Sequence, residues 1–222
     1  MQPLKITAYM QTGKIATYDL FLPLDSILAE VWIRLNHPEA MIASQSSIMP
    51  ENLIVPDLPL EKRGEDDDWY WACSFACGKP QREEIVHWHK RLDFDDAQKY
   101  IDFGKKRGKV NVKSGQYKNY RMPLVTYLMP KLEWYAVGEK NKIEILLKYV
   151  THIGKKRSQG FGRVVRWTVG EWPEDLSYLR AIPDENGDVE MGIRSPYWLA
   201  WQWTRVLIPN DRRLACNANQ TV

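Results

Sequence analysis

The chain has 222 residues, 44% of them hydrophobic and 12% aromatic, and this composition favours one compact domain with insertions over a two-domain enzyme. A net charge of +3 does not by itself indicate a nucleic-acid partner, because affinity for phosphates depends on local charge. Three cysteines, an odd number, argue against a disulfide framework. With neither a signal peptide nor an apolar run of membrane-spanning length, the sequence predicts a cytoplasmic protein without a membrane partner.

The first predicted elements are a strand and a helix. Residues 4–10 alternate apolar and polar side chains, and this period of two predicts a half-buried strand. Residues 25–35 repeat apolar side chains at helical spacing, so a helix is predicted there with Asp25 or Ser26 as its cap. Residues 44–68 carry prolines, turn clusters and an acidic run without a sustained period, which predicts an excursion over the surface.

Two further strands and a short helix are predicted before the middle of the chain. Residues 69–75 and 84–92 have the composition of strands that pair with each other. A short helix is predicted from Asp95 to a glycine cap at Gly104.

A basic arm, residues 104–121, follows this helix. It contains seven Lys or Arg residues and no Asp or Glu, so charge is segregated along the chain. Its apolar content is too small to offset the chain entropy of folding, which predicts an arm that is mobile alone and ordered by RNA. The candidate RNA-binding residues of the arm are Lys105, Lys106, Arg107, Lys109, Lys113, Lys118 and Arg121.

The remaining pattern completes a fold prediction. Residues 122–129 and 132–137 resume strand character, residues 143–153 predict a helix that ends at Gly154, and residues 163–169 predict a last strand. Strand, helix, strands, helix and strand is the order of an α+β, ferredoxin-like (RRM-like) sheet covered on one face by two helices.

The predicted domain organisation is one ferredoxin-like domain, residues 1–171, with insertions at 44–68 and 104–121. Residues 172–222 form an irregular, Trp-rich extension packed on the same domain. Three tryptophans of this extension are candidates for stacking on bases, for docking a neighbouring subunit or for core packing: Trp198, Trp201 and Trp203.

The segment with the clearest chemistry is the glycine-rich loop GKKRSQGFGR, residues 154–163. Glycines allow positive φ and close approach of a ligand, cations attract phosphates, and the Ser and Gln side chains donate hydrogen bonds. The predicted RNA-binding residues of the loop are Gly154, Lys155, Lys156, Arg157, Ser158, Gln159, Gly160, Phe161, Gly162 and Arg163.

This loop differs from the phosphate loops of nucleotide-binding enzymes. Those have the form G-x-x-x-x-G-K-[ST] after a strand and before a helix, whereas this loop follows a helix and precedes a strand. No ATP, GTP or other cofactor is therefore expected.

The loop resembles that of the RAMP proteins of CRISPR systems, whose ferredoxin-like domain carries a glycine-rich loop between its last helix and its last strand. The matching residues are Gly154, Gly160, Phe161 and Gly162, and His152 stands where the first glycine of such loops would be.

Two further segments, LKITAYMQTGKIATYDLFLPLDSILAEVWIRLN and HWHKRLD, resemble the Cas family five subunits of type IV CRISPR effectors. The resemblance implies a non-catalytic subunit that caps the 5′ handle of the guide RNA (crRNA). It also implies a ribonucleoprotein with backbone-forming and large subunits that acts on plasmid or phage DNA. The basic arm lies where such subunits often have a thumb that grips RNA.

Two histidines provide a rival hypothesis. His87 and His89 lie on one face of a predicted strand, with Lys90 and Arg91 beside them. Two histidines with neighbouring cations are sufficient for the acid-base chemistry of a metal-independent endoribonuclease that processes guide RNA. The four residues are also a possible secondary RNA site. The sequence equally allows core or interface histidines.

The same region contains the ligand types of a zinc site. Cys73, Cys77, His87 and His89 are of the right kind, but a strand would hold the two cysteines about 13 Å apart. Free buried thiols are the preferred interpretation, and no metal is expected. A protein–protein adaptor without RNA contacts is a third class of function, which would leave the acid-free arm and the cationic loop unexplained.

Overall fold

The computed structural model describes residues 1–41, 53–100, 102, 111–115 and 117–216. Within these residues the chain is a mixed α/β molecule with small antiparallel sheets and few helices. The α-helices are α1 (Leu24–Asn36), α2 (Phe94–Ala97) and α3 (Lys140–Leu147). The strands are β1 (Gln2–Met10), β2 (Lys14–Ala16), β3 (Lys62–Arg63), β4 (Tyr70–Trp71), β5 (Arg82–Lys90), β6 (Tyr120–Leu128), β7 (Lys131–Gly138), β8 (Val164–Glu171), β9 (Ile182–Pro183), β10 (Val189–Gly192) and β11 (Trp203–Leu207).

The central sheet has the order β7-β1-β8, and both pairings are antiparallel. The alternation that predicted β1 places Leu4, Ile6 and Ala8 in the core, where they are almost completely buried. This core also contains Leu28 from α1 and Leu147 from α3, so both helices lie against it. The predicted strand 4–10 is confirmed, two residues longer at its amino end.

The free edge of β7 is covered by the buried segment 72–77. The backbone N–H of Ser74 donates to Tyr135 O at 2.7 Å, and that of Cys77 donates to Glu133 O at 2.7 Å. The prediction that residues 69–75 pair with residues 84–92 is wrong, because β5 instead forms a nine-residue ladder with β6. A ladder of nine residue pairs satisfies more backbone groups than the seven residues 69–75 could.

A second sheet has the order β2-β6-β5, and two chain connections join it to the first sheet. The chain passes from β1 to β2 through Gly13, whose φ of +69° suits glycine, and from β6 to β7 through Met129 and Pro130. The outer half of the β5–β6 hairpin protrudes as a ribbon, and Ile85 and Met122 on it are 63% and 47% exposed. The predicted strands 122–129 and 132–137 correspond to β6 and β7.

The helices differ from expectation mainly at their ends. α1 matches the predicted helix within one residue, but neither Asp25 nor Ser26 caps it, because Pro23 is the capping residue. α3 ends at Leu147 instead of Gly154, since the chain after it pairs with the end of the glycine-rich loop. α2 ends at Ala97, well before Gly104, which lies outside the described residues.

The tail is more regular than predicted. It contains a third sheet of order β10-β11-β9, and Leu179, Val206 and Leu214 pack with Phe75 and Cys77 into a second core cluster.

The predicted surface excursion, residues 44–68, is only partly correct. Leu58 and Leu60 are buried in the main core, and the acidic run includes the short strand β3, which pairs with β4. Residues 42–52 lie outside the described residues.

A buried polar network joins the tail to the start of α1. Arg180 is 0% exposed and donates to the carbonyls of Trp71, Cys73 and Ile193 and to the hydroxyl of Tyr197. The Tyr197 hydroxyl in turn donates to the Asp25 carboxylate at 2.7 Å. Burial raises the pKa of Asp25 above its ordinary value, and the nearby guanidinium opposes that rise.

In the described part of the chain, no helix is both long enough and apolar enough to cross a membrane.

Candidate nucleic-acid interface

Both ends of the glycine-rich loop are attached to the edge of β2. The backbone N–H of Lys155 donates to Ala16 O at 2.7 Å, and that of Gly162 donates to Lys14 O at 2.8 Å. The Ile153 N–H closes the base of the loop by donating to Gly162 O at 2.9 Å. The residues between these points therefore project from a fixed base instead of forming a free connection.

The three loop glycines have different physical tasks. Gly154, Gly160 and Gly162 all have φ between +70° and +83°, which suits a residue without a Cβ. A Cβ at Gly162 would overlap Ile153 O, and one at Gly154 would lie 2.7 Å from Ala16 O.

At Gly160, by contrast, a Cβ would meet no atom of the described residues within 4 Å beyond its own chain neighbours. The positive φ expected of these glycines is confirmed, whereas the space beside Gly154 and Gly162 is filled by the protein's own carbonyls and not left for a ligand. Gly160 alone of the three faces open space.

The loop cations form an exposed group. Lys155, Arg157 and Arg163 are exposed, as are Ser158 and Gln159, which together with Arg157 make a short 3₁₀ turn. The ion pairs between described residues all involve other side chains. The positive charge of the loop is therefore not neutralised by a described carboxylate.

Two aromatic rings, which sequence reasoning did not assign to the site, lie beneath two of these cations. Lys155 Nζ is 3.6 Å from the ring centroid of Tyr18, and Lys156 Nζ is 3.4 Å from that of Trp88. Lys156 is half-buried and has a φ of +56°, a left-handed conformation that is uncommon for a lysine. Phe161, the hydrophobic residue of the motif, is half-buried.

A cleft of about 390 Å³ lies beside the loop, between α1 and the segment that follows α3. Arg34, His152 and Arg157 are among its lining residues. His152 forms a bridge with Arg163, so the residue at the position of the missing first glycine helps to close the loop. Glu30 also lines the cleft and pairs with Arg34 at 3.5 Å, so His152 and Arg157 at the loop end carry its remaining cationic character.

The basic arm is described only in part. Lys113 and Lys118 are exposed, whereas Arg121 is an exposed residue of β6 and so belongs to a strand instead of a flexible arm. Four predicted RNA-binding residues lie outside the described residues: Lys105, Lys106, Arg107 and Lys109.

His87 and His89 are exposed on one face of β5, as their spacing predicts. Arg121 lies directly across the ladder from His89. Trp88 lies on the opposite face of β5. Lys156 of the loop, which covers the Trp88 ring, therefore lies on that opposite face too. A phosphate held at the histidines would therefore lie on the other side of the ribbon from Lys156. Lys90 shares the face of Trp88, and Arg91 is exposed just after β5.

The residues considered for zinc do not converge. Cys73 and Cys77 are buried beside β7, and the Cys73 thiol donates to the Asp25 carboxylate at 3.5 Å. Burial raises the pKa of Cys77 to about 12, so it is a protonated thiol at neutral pH. Among the residues that the structure describes, no three His, Cys, Asp or Glu side chains are placed to share a metal ion.

Comparison with known proteins shows the family of the chain. The family model described as "CRISPR type IV associated protein Csf3" matches residues 2–209, which include the central sheet, the loop and most of the tail. No curated protein matches the chain.

Proposed function

Because the chain belongs to the family of CRISPR type IV associated proteins Csf3, we propose that it is the non-catalytic subunit that binds the 5′ handle of the guide RNA. Family membership supports a role in a type IV CRISPR complex, and such a role implies assembly with other subunits. The proposal adds the ligand, crRNA, and the neighbours, a backbone-forming and a large subunit. Target DNA, of plasmid or phage, is bound by the whole complex.

The strand order supports a RAMP-type, ferredoxin-like domain as the framework of this proposal. Segment 72–77, β7, β1 and β8 follow one another across the sheet, α1 follows β1, and α3 connects β7 to β8. A ferredoxin-like sheet has this order of strands and helix connections. The glycine-rich loop then lies between the last helix and the last strand, as in the RAMP proteins.

The observation that carries the proposal is the presentation of the loop cations. Lys155, Lys156 and Arg157 are consecutive, project from a base fixed to β2 and have no acidic partner among the described residues. Such an arrangement attracts a polyanion and loses little additional chain entropy when the ligand binds, because the base of the loop is already ordered.

Changing Lys155, Lys156 and Arg157 together to Gln tests this function. Binding of the guide RNA should weaken, and the slope of log K against log salt should flatten by up to ~0.7 per lost phosphate contact. The matched control changes Lys79, Lys148 and Arg212 to Gln, three exposed cations of other segments that form no ion pair with a described residue. The control has the same net charge as the loop variant, and its slope of log K against log salt should stay at the wild-type value. A folded loop variant that binds as tightly and as salt-sensitively as wild type would refute the proposed function.

A guide-processing endoribonuclease is the second candidate, favoured by one observation: two exposed histidines share a face of β5, with Arg121 across from His89. We expect the purified protein to leave its repeat RNA intact with or without added metal. The described residues show neither an acidic cluster for a metal nor a loop cation on the histidine face. Site-specific cleavage that is lost in both His87→Ala and His89→Ala would establish the endoribonuclease instead.

A further inference from the structure

Three distant segments of the chain meet in a strip of aromatic rings and ammonium groups. Tyr18 follows β2, Lys155 and Lys156 belong to the glycine-rich loop, and Trp88 and Tyr120 come from the β5–β6 ribbon. The two lysines cover Tyr18 and Trp88 at 3.6 and 3.4 Å, and the rings of Trp88 and Tyr120 are 4.9 Å apart. The strip therefore continues from the loop onto the ribbon.

The rings of this strip are poorly explained by core packing. Tyr18 is 61% exposed, and neither Tyr18, Trp88 nor Tyr120 belongs to the described core clusters. Aromatic side chains are usually buried unless their faces serve another contact. Among the described residues, the flexible end of a lysine lies over the ring of Tyr18 and another over that of Trp88, and a ligand can displace either ammonium group.

The chemistry of the strip favours single-stranded nucleic acid. Each base has a π-face that stacks on an aromatic ring, and each nucleotide brings a phosphate that attracts an ammonium group. When a base takes the place of the ammonium over a ring, the displaced ammonium is next to the phosphate of that nucleotide. One nucleotide then provides a base for the ring and a phosphate for the ammonium group.

We propose that Tyr18 and Trp88 are stacking positions for unpaired bases of the RNA, and that Lys155 and Lys156 move from the rings to the adjacent phosphates. This inference rests on the proposed function, and it adds that the RNA is held by its bases as well as its backbone. The contact tolerates any base, because every base has a π-face. Trp88 sits on the face of β5 opposite His87 and His89, so stacking and the suggested histidine chemistry use different sides of the ribbon.

Guide RNAs with a single abasic site, placed in turn at each position of the 5′ handle, test the proposal together with Trp88→Leu. With wild-type protein, at least one abasic position should weaken binding roughly 5- to 150-fold, the range expected from the loss of one stacked base. Trp88→Leu should weaken binding of intact RNA by a similar factor, and that abasic position should then have no further effect. The salt slope should stay at the wild-type value, because the phosphate contacts remain.

Two further variants separate stacking from general damage. Trp88→Phe keeps a ring and should restore most of the affinity, whereas Tyr178→Leu removes a 42% exposed ring outside the strip and should leave binding unchanged. If every abasic position weakens wild type and Trp88→Leu equally, the stacking proposal is overturned while RNA binding stands. If Trp88→Leu binds RNA with wild-type affinity but no longer assembles with the other subunits, the strip contacts a protein and not the RNA. A wild-type protein that does not bind guide RNA at all would overturn the proposed function itself.

Discussion

Arg180 and Arg157 have the same side chain in opposite surroundings. The Arg180 guanidinium is completely buried and its N–H groups are used by carbonyls and by Tyr197, whereas Arg157 is exposed and, within the described part of the chain, donates one bond, to Gly154 O. A guanidinium whose donors are all used within the protein can hold segments together but cannot bind a ligand. The exposed one contributes little to the fold and keeps most of its donors for a phosphate.

The largest effect predicted from this comparison concerns Arg180→Met. The substitution leaves the Asp25 carboxylate buried without its cation, and we expect the free energy of unfolding to fall by about 3–5 kcal/mol. Urea denaturation followed by circular dichroism measures this loss. The double variant Arg180→Met, Asp25→Leu should recover part of it, because no unpaired buried charge remains. An Arg180→Met protein as stable as wild type would show that the network does not stabilise the fold.

Two glycines of the loop give the next largest effect. Gly162→Ala places a Cβ against the carbonyl of Ile153 at positive φ, so we expect a loss of at least ~1–3 kcal/mol from backbone strain. Gly160→Ala has the same kind of φ but open space around its Cβ, and about 1 kcal/mol is expected. Melting curves of the two variants compare these losses. Equal destabilisation of the two variants would mean that the cost comes from the positive φ alone and that the contact with Ile153 O adds nothing to it.

The smallest effect is expected for Arg157→Met, whose side chain is exposed. The free energy of unfolding should change by no more than ~0.5 kcal/mol. A measurable loss of RNA affinity in this stable variant would complete the contrast with Arg180. A loss of stability as large as that of Arg180→Met would instead give the two arginines the same structural role.

Elements with a clear period were predictable from sequence, and their partners were not. The alternation in β1 and the helical spacing in α1 are local patterns that encode which face is buried. The pairing of β5 with β6 depends on competition between distant segments, which no local pattern reports. The apolar spacing of residues 143–153 predicted a long helix, but Ile153 lies beyond the end of the helix, where its backbone pairs with Gly162 and its side chain packs in the main core.

The candidate site was predictable in composition only. Glycines and cations in one short segment indicated a phosphate-binding loop, because these residue types suit that chemistry wherever they cluster. The rings beneath Lys155 and Lys156 come from segments far away in the chain, so only the tertiary fold brings them there. Asp25 has the usual composition signal of a helix cap, yet its buried carboxylate instead accepts hydrogen bonds from Tyr197 and Cys73.

The position of β1 at the centre of its sheet has a consequence for how the chain is made. Leu4 lies opposite Ala136 on one side and Glu171 on the other, so β1 cannot acquire both neighbours until synthesis has passed residue 171. At ordinary ribosome speeds this takes roughly 10–30 s. During that interval the apolar face of β1 has no complete sheet to join, and chaperones have time to bind it. Such non-local pairing also makes refolding slow, on the order of milliseconds to seconds after dilution from denaturant.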